Sequence, residues 1–491
     1  MFRFCCAQDP RETRPPADPL MGGDRAVASL KADLSPEATI LLPGDPAYLT
    51  NRNQMWNHDN THNPAAIVVV RSTKDVQAAV THCRSNGWEV CVAGGRHSLL
   101  CMVHNSVVID LGKLNEVQVD VENKTVTVGG GTKLGKMDKA CDEASNGTLA
   151  TVAGHNPDTG VGGLTLAGGY GHLCRAFGLT IDNLLEAEVV LASGEVVRAS
   201  EEENADLFWG LRGGGGNFGI VTRFVFRLHQ IPPKLVYTNR VFLPLPCLFN
   251  CETAVSQVRA YMEESDDRQM CTAVIPGNGP LVFDTIWVGE CAEGWKEVKS
   301  LDAAVKSPFF PPVTRAEKPY HSFLQNIVSE TLQPPGFYYM RSKLLTSLEE
   351  GLALALWGHS RKAPTGSCLL IITTTKGKMN EIPEDATAFA GREGKYLLLV
   401  LANWSDQKDR AACVQWAREC DGVLAPFVGD QQADYSTAVL EERNTLTTAE
   451  EEKKGAAVAG AFGKNLERLR ELKRKFDPEN IFHLNSNILP A

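Results

Sequence analysis

Residues 160–173 read GVGGLTLAGGYGHL, six glycines in fourteen positions. Glycine loses more backbone entropy on folding than any other residue, about 1 kcal/mol against alanine within a helix. Neither a helix nor a central strand is expected at that density. The run therefore predicts a loop whose bare backbone lies against something large and flat. Two further glycine groups frame it. Gly94-Gly95 follows residues 89–93, a short β-branched run that reads as a buried strand, and precedes Arg96-His97-Ser98. Consecutive amide N–H groups can cradle a phosphate there, and an imidazole can be a base, a metal ligand or a covalent attachment point. The third group, residues 212–219, contains a literal GxGxxG beginning at Gly214. A dinucleotide fingerprint needs strand, glycines and helix in that order. Here a helical stretch precedes the glycines and a strand follows, so a Rossmann site is not supported.

At 491 residues the chain is too long for one ordinary core, and two or three domains are expected. A net charge of −10 argues against a nucleic-acid surface and against generic attraction to anionic membranes. No apolar run reaches the roughly 20 residues of a bilayer span. The first residues carry arginines but no apolar signal core, so a cytoplasmic location with reduced thiols is expected. The fourteen cysteines include no CxxC pair, and no metal site is expected. Residues 1–38, rich in Pro, Arg and Asp, predict a poorly ordered lead-in.

From residue 66 the pattern is regular. A strand at 66–70 leads to a helix at 73–86, capped by Ser72 or Thr73 and ended by Gly87. A strand at 106–111, hairpins at 117–128 and 187–199 and a helix near 134–143 follow. Gln230-Ile231-Pro232-Pro233 reads as a boundary. Beyond it, strands at 235–243, 281–288, 368–374 and 396–401 alternate with helices at 248–264, 292–305 and 405–421. This predicts an α+β fold on a mainly antiparallel sheet. Residues 450–454 form a solvated charge run. Phe462, Leu466, Leu469, Leu472 and Phe476 form a core stripe at helical spacing that stops at Asp477-Pro478.

Taken in order, several motifs resemble the flavin-dependent oxidases of the vanillyl-alcohol-oxidase superfamily, within it the berberine-bridge-enzyme-like branch. They are Trp56-Asn57, Ala93 with Gly94-Gly95-Arg96-His97-Ser98, Asp158-Thr159-Gly160-Val161-Gly162-Gly163, the Gly168 to Gly171 step, Asp182-Asn183, Phe476-Asp477-Pro478 and Asn485-Ser486-Asn487. The resemblance covers residues 40–230 and 455–491 well and 235–450 loosely. It implies a two-part FAD-binding domain, residues 39–232 completed by 451–491, with an inserted substrate-binding cap at 233–450. It also implies that Gly94, Gly95, Arg96, His97 and Ser98, together with Asp158, Thr159, Gly160, Gly162 and Gly163, hold the pyrophosphate. Gly168, Gly169 and Gly171 would run along the isoalloxazine with His172 beside it. Ile220 and Val221 would meet the adenine end, and Asn485 and Asn487 would close over the ring. By the same resemblance His97 bonds covalently to the flavin. Some members add a cysteine link in a Cys-Pro-x-x-Gly pattern. Asn156 stands at that place here, and Cys174 lies past the glycine loop, so a single link through His97 is expected.

The family's reaction moves hydride from a C–H beside an alcohol or amine to flavin, with dioxygen as the usual acceptor. Its base is commonly a tyrosine in a Tyr-Gly-x-Asn-Tyr pattern. This chain has Phe462-Gly463-Lys464-Asn465-Leu466, so both tyrosines are absent. Substitutes are Tyr435, His172, and Tyr339 with its neighbours Tyr338 and Arg341. A flavin dehydrogenase using another acceptor, and a flavin-binding protein without turnover, are the alternatives. The implied partners are a small-molecule substrate and dioxygen.

Overall fold

The structure, a computed structural model, describes Leu20 and residues 23–242, 251–306, 311–327, 336–427 and 458–491. Tyr435, the 450–454 charge run and the start of the helix expected at 248–264 lie outside these residues. Among the described residues, no helix is long and apolar enough to cross a membrane, and no group of three His, Cys, Asp or Glu could hold a metal ion.

Three main sheets organise the molecule. The first has the order β1-β2-β4-β3, built from β1 (Thr39–Leu41), β2 (Ala66–Val69), β3 (Val90–Ala93) and β4 (Val107–Asp110), with β2, β4 and β3 parallel. Parallel strands are covered on both faces, which is why these read as continuous apolar runs. Helix Thr73–Asn86 has the predicted ends. The Ser72 hydroxyl accepts from the Asp75 amide, the Asp75 carboxylate accepts from the Ser72 amide, and Gly87 closes the helix at φ +65°. The poorly ordered lead-in expected over residues 1–38 does not extend through residues 23–38. Gly23–Asp33 is a helix whose Leu30 is buried with Leu20 and Leu34 against the Thr73–Asn86 helix. Val27, Leu30 and Leu34 form an apolar stripe that the polar composition around them obscures.

The second sheet, β5-β6-β10-β8-β9, is antiparallel. Its strands are β5 (Val117–Asp120), β6 (Thr125–Gly129), β8 (Leu184–Val190), β9 (Val196–Ser200) and β10 (Ile220–Arg227). A short β7 (Leu149–Ala150) pairs with β11 (His229–Gln230). The C-terminal segment packs into this sheet's core, where Phe462, Leu469, Leu472 and Ile488 join Val126, Val128, Phe224 and Phe226.

The third sheet has seven strands, all antiparallel, in the order β15-β12-β14-β13-β17-β18-β16. They are β12 (Lys234–Phe242), β13 (Gln269–Pro276), β14 (Leu281–Trp287), β15 (Pro312–Pro319), β16 (Phe337–Leu345), β17 (Leu369–Thr374) and β18 (Tyr396–Trp404). Helices Cys251–Glu264, Glu350–Ser360 and Arg410–Leu424 cover one face, around Leu345, Leu370, Ile372, Leu398 and Val400. The other face turns toward residues 150–181.

The glycine run at 160–173 is not a continuous loop. Val161–Leu166 forms a short helix, with Gly162 and Gly163 in its first turn. The Thr132 carbonyl receives the Val161 amide and the Leu134 amide reaches the Thr159 carbonyl, so neighbouring backbone fixes the turn that glycine propensity disfavours.

Candidate functional site

β3 delivers the chain to Gly94-Gly95, and Gly95 lies directly on Gly160. A Cβ on Gly95 would sit 2.0 Å from the Gly160 nitrogen, and one on Gly160 would sit 2.4 Å from the Gly95 nitrogen. The two glycine motifs are therefore packed backbone to backbone. Arg96 follows at φ +62° and turns its guanidinium inward, with Nη2 2.7 Å from Asp110 and 3.0 Å from the Asn51 Oδ1. That charge is neutralised in the interior, so only the Arg96 amide remains to face an anion. Among the described residues, the amides of Gly95, Arg96, His97 and Ser98 have no protein acceptor. The Ser98 hydroxyl caps the short turn Leu99–Cys101. The Asp158 carboxylate is half-exposed and pairs with Lys133 at 2.8 Å, so its negative charge is already engaged at the surface. The Asp158 and Thr159 amides are engaged as well, donating to the Asn156 Oδ1 and to the Asn156 carbonyl.

The His97 ring stacks on Trp56, with centroids 4.4 Å apart and planes 19° from parallel. The Tyr338 hydroxyl donates to the His97 carbonyl at 3.2 Å. Burial pulls the His97 pKa down to about 4, against a hydrogen bond with the Asp158 backbone, so the ring is neutral at ordinary pH. Its Nε2 is buried and makes no hydrogen bond. The Trp56 amide bonds the Arg96 carbonyl, the Gly336 amide bonds the Trp56 carbonyl, and Asn57 Nδ2 bonds the Tyr338 carbonyl at 2.9 Å. Residues 56–58 thereby stitch the His97 turn to the start of β16.

Strand alternation separates the two candidate tyrosines. Tyr338 faces His97. Tyr339 packs on the helix-covered face, where Arg418 lies over its ring at 5.8 Å and Arg341 approaches its hydroxyl at 3.5 Å. Arg341 itself pairs with Asp421 at 2.7 Å on that face. Tyr339 as a catalytic group is corrected accordingly, because it points away from His97.

On their Cβ side the 168–171 glycines meet protein. A Cβ on Gly168 would meet the Phe389 ring at 2.7 Å, one on Gly169 would meet Thr180 Oγ1 at 2.4 Å, and one on Gly171 would meet the Ala153 carbonyl at 1.6 Å. Protein accounts for each of these close approaches. His172 is buried edge-on to His155 at 4.3 Å, and His155 is edge-on to Tyr170 at 5.0 Å. Burial depresses both imidazoles, His155 to about 4 and His172 well below its ordinary value, with the neighbouring ring adding to the effect at His172.

At the C-terminal end, Asn485 Nδ2 donates to the Gly216 and Phe482 carbonyls, while the Oδ1 atoms of Asn485 and Asn487 are buried without partners. The 212–219 glycine motif is held by the same segment: Asn217 Nδ2 donates to Gly214 and Ser486 carbonyls and its Oδ1 accepts from the Ile488 amide. Ile220 and Val221 begin β10 and are buried. A buried polar atom without a partner costs about 1–3 kcal/mol. The orphaned His97, Asn485 and Asn487 atoms, beside free amides at 95–98, therefore fit a bound group that is both polar and aromatic, as FAD is.

The comparisons agree with that fit. Residues 64–200 match the model described as FAD binding domain, and residues 443–489 match the one described as berberine and berberine like. The chain is 30% identical over 465 residues to the FAD-linked oxidoreductase pgmH of Aspergillus terreus, covering 89% of this chain and 90% of that protein. The chain belongs to the berberine-bridge-enzyme-like FAD-linked oxidoreductases. Among solved structures, BBE-like 1 of Physcomitrella patens superposes with a TM-score of 0.81 at 21% identity, covering 95% of this chain and 99% of the other. The glucooligosaccharide oxidase of Acremonium strictum, described with a 6-S-cysteinyl, 8α-N1-histidyl FAD, superposes at 0.80 and 23%, with coverage of 95% and 99%.

In this berberine-bridge-enzyme-like enzyme, Trp56 and His155 carry no role in the sequence pattern. Trp56 is visible only as part of a motif, and its stacking partner lies 41 positions away. His155 precedes Asn156, but its pairing with His172 depends on how the glycine run folds back. Of the three proposed base candidates, His172 pairs with His155, Tyr339 points away from His97, and Tyr435 is outside the described residues.

Proposed function

We propose that this enzyme oxidises a C–H bond beside an alcohol or amine, with FAD tethered by a single covalent link through His97 and dioxygen as electron acceptor. The carrying observation is His97 itself: a neutral imidazole, stacked on Trp56, fixed through its backbone by Tyr338, with a buried Nε2 that has no partner. That nitrogen is the one available for the bond. When bound, the flavin would supply a hydride acceptor whose potential the imidazole link raises. The amides of residues 95–98 would hold the pyrophosphate, and Asn485 and Asn487 would satisfy their oxygens on the ring side. Asn156 carries no thiol, which supports one link rather than the two named for the glucooligosaccharide oxidase.

Proton removal is assigned to the His155–His172 pair. Burial holds both rings neutral at ordinary pH, so a ring nitrogen lone pair is open to the leaving substrate proton. The same burial makes each ring a weak base that holds that proton only in passing. Tyr170 meets His155 edge-on. Acid precipitation tests the tether. A yellow pellet from the wild type, and colour released to the supernatant from His97→Ala, are the expected results; wild-type flavin leaving with the supernatant rejects the link. Peroxide formed under air during turnover separates dioxygen from another acceptor.

A further inference from the structure

On the inner face of the seven-stranded sheet, one row of side chains across four strands is polar between two largely apolar rows. Val241, Val282, Val274, Ile371 and Leu399 are cross-strand neighbours in one row. The adjacent row, in the same register, is Asn239, Asp284, Thr272 and Thr373, continuing as Leu397 and Leu344. The row beyond contains Tyr237, Ile286 and Met270.

Packing fixes which way this face looks. Leu344, Leu397 and Leu399 meet Leu179, Ile181 and Phe389, while Tyr237, Ile286 and Met270 meet Val152, Leu173 and Cys174. Tyr170 packs in both groups and presents its ring to His155. The polar row therefore lies between two contacts with residues 150–181, on the side of the sheet that also carries Tyr338 to His97.

Asp284 is the acid of that row. Its Oδ1 accepts from the Tyr237 hydroxyl at 2.9 Å and from Asn239 Nδ2 at 2.6 Å. The Thr272 and Thr373 hydroxyls stand 3.3 Å apart beside it. Both donors to Asp284 are neutral, and among the described residues no cation pairs with it. Arg240, one position along β12, points to the opposite face and pairs with Asp302. Burial raises the Asp284 pKa, so the surroundings disfavour its charge until a cation arrives. A hydroxyl would add one more neutral donor. An ammonium would neutralise the carboxylate.

We propose that Asp284, oriented by Tyr237 and Asn239, anchors a protonated amine of the substrate on the cap's inner face, with the Thr272 and Thr373 hydroxyls beside it. The proposal rests on the functional reading above, in which the His155–His172 pair, within residues 150–181, takes the substrate's proton.

The test is calorimetric titration of the flavin-loaded protein with matched probes: benzylamine against benzyl alcohol, and phenethylamine against 2-phenylethanol. The amines should bind about tenfold more tightly than the alcohols, as loss of one charge-assisted contact implies. Asp284→Asn should remove that difference while the flavin spectrum stays unchanged, and Asp284→Ala should do the same if the asparagine variant does not fold. Equal binding of amines and alcohols, no binding of either, or a preference that survives in the Asp284 variants overturns the proposal. If the purified protein is yellow and yet shows no amine preference, only this anchor fails; if it carries no flavin, the functional reading fails first.

Discussion

Gly95 and Gly160 share a contact that leaves no room for a methyl group, and the atoms in the way are backbone. In Gly95→Ala the two turns must separate, and the His97 ring must leave its stack on Trp56. The expected outcome is about 1–3 kcal/mol of destabilisation together with loss of flavin from the purified protein, read by thermal melting and by absorbance. Gly358→Ala, on helix Glu350–Ser360, is the matched control, since a Cβ there meets nothing within 4 Å, and it should retain both. The glycine requirement itself was legible in the sequence. What presses on each glycine's Cβ side was not, because Gly168 meets a ring from Phe389, more than 200 positions away. Tyr338 and Tyr339 show the same limit from the other side. Their opposite directions follow from β16, a strand that the sequence pattern did not reveal.

Elements were legible where one face is exposed or where a cap marks the end. Helix Thr73–Asn86 announces itself through Ser72, Asp75 and Gly87. Helix Glu350–Ser360 and strand β13 gave no comparable signal, because apolar residues lie on both of their faces and the period is lost. The C-terminal helix was legible as a stripe, but its polar attachment was not. Lys473 is fully buried, with Nζ 2.7 Å from the Asp477 Oδ2 and 2.9 Å from the carbonyls of Asn217 and Phe482. Asp477, read in sequence as a helix stop, also accepts the Ile481 and Phe482 amides. Removing one partner strands a buried charge, so Lys473→Met should cost about 3–5 kcal/mol. Asn217→Ala removes three hydrogen bonds of the same clamp and should cost about 2–3 kcal/mol. Urea denaturation measures both. A loss below 1 kcal/mol in the lysine variant would mean that the C-terminal segment contributes little to holding the 212–219 turn.

At the scale of the whole molecule, histidines are buried or half-buried where the seven-stranded sheet meets the rest of the chain. Burial is the leading cause in each case. His155 falls to about 4, His172 falls well below its ordinary value, and His229, stacked on Phe177 at 4.1 Å and carrying a smaller effect from Arg227, also falls to about 4. In the unfolded chain each titrates near its ordinary 6.5. Between those two values the unfolded chain binds protons that the folded one refuses, so stability rises with pH across that window. The stabilising contribution is complete above about pH 6.5 and is lost progressively as the pH falls toward 4, below which the folded protein takes up the protons as well. His97 belongs to this set only without a tether, because a flavin link changes what its ring can bind. The flavin-loaded enzyme should therefore melt at steadily lower temperature from pH 6.5 to pH 4. His229→Gln, which keeps a polar group for Asn183 but cannot titrate, should flatten that slope. An unchanged slope in this variant would show that His229 is not among the residues that set the acid limit.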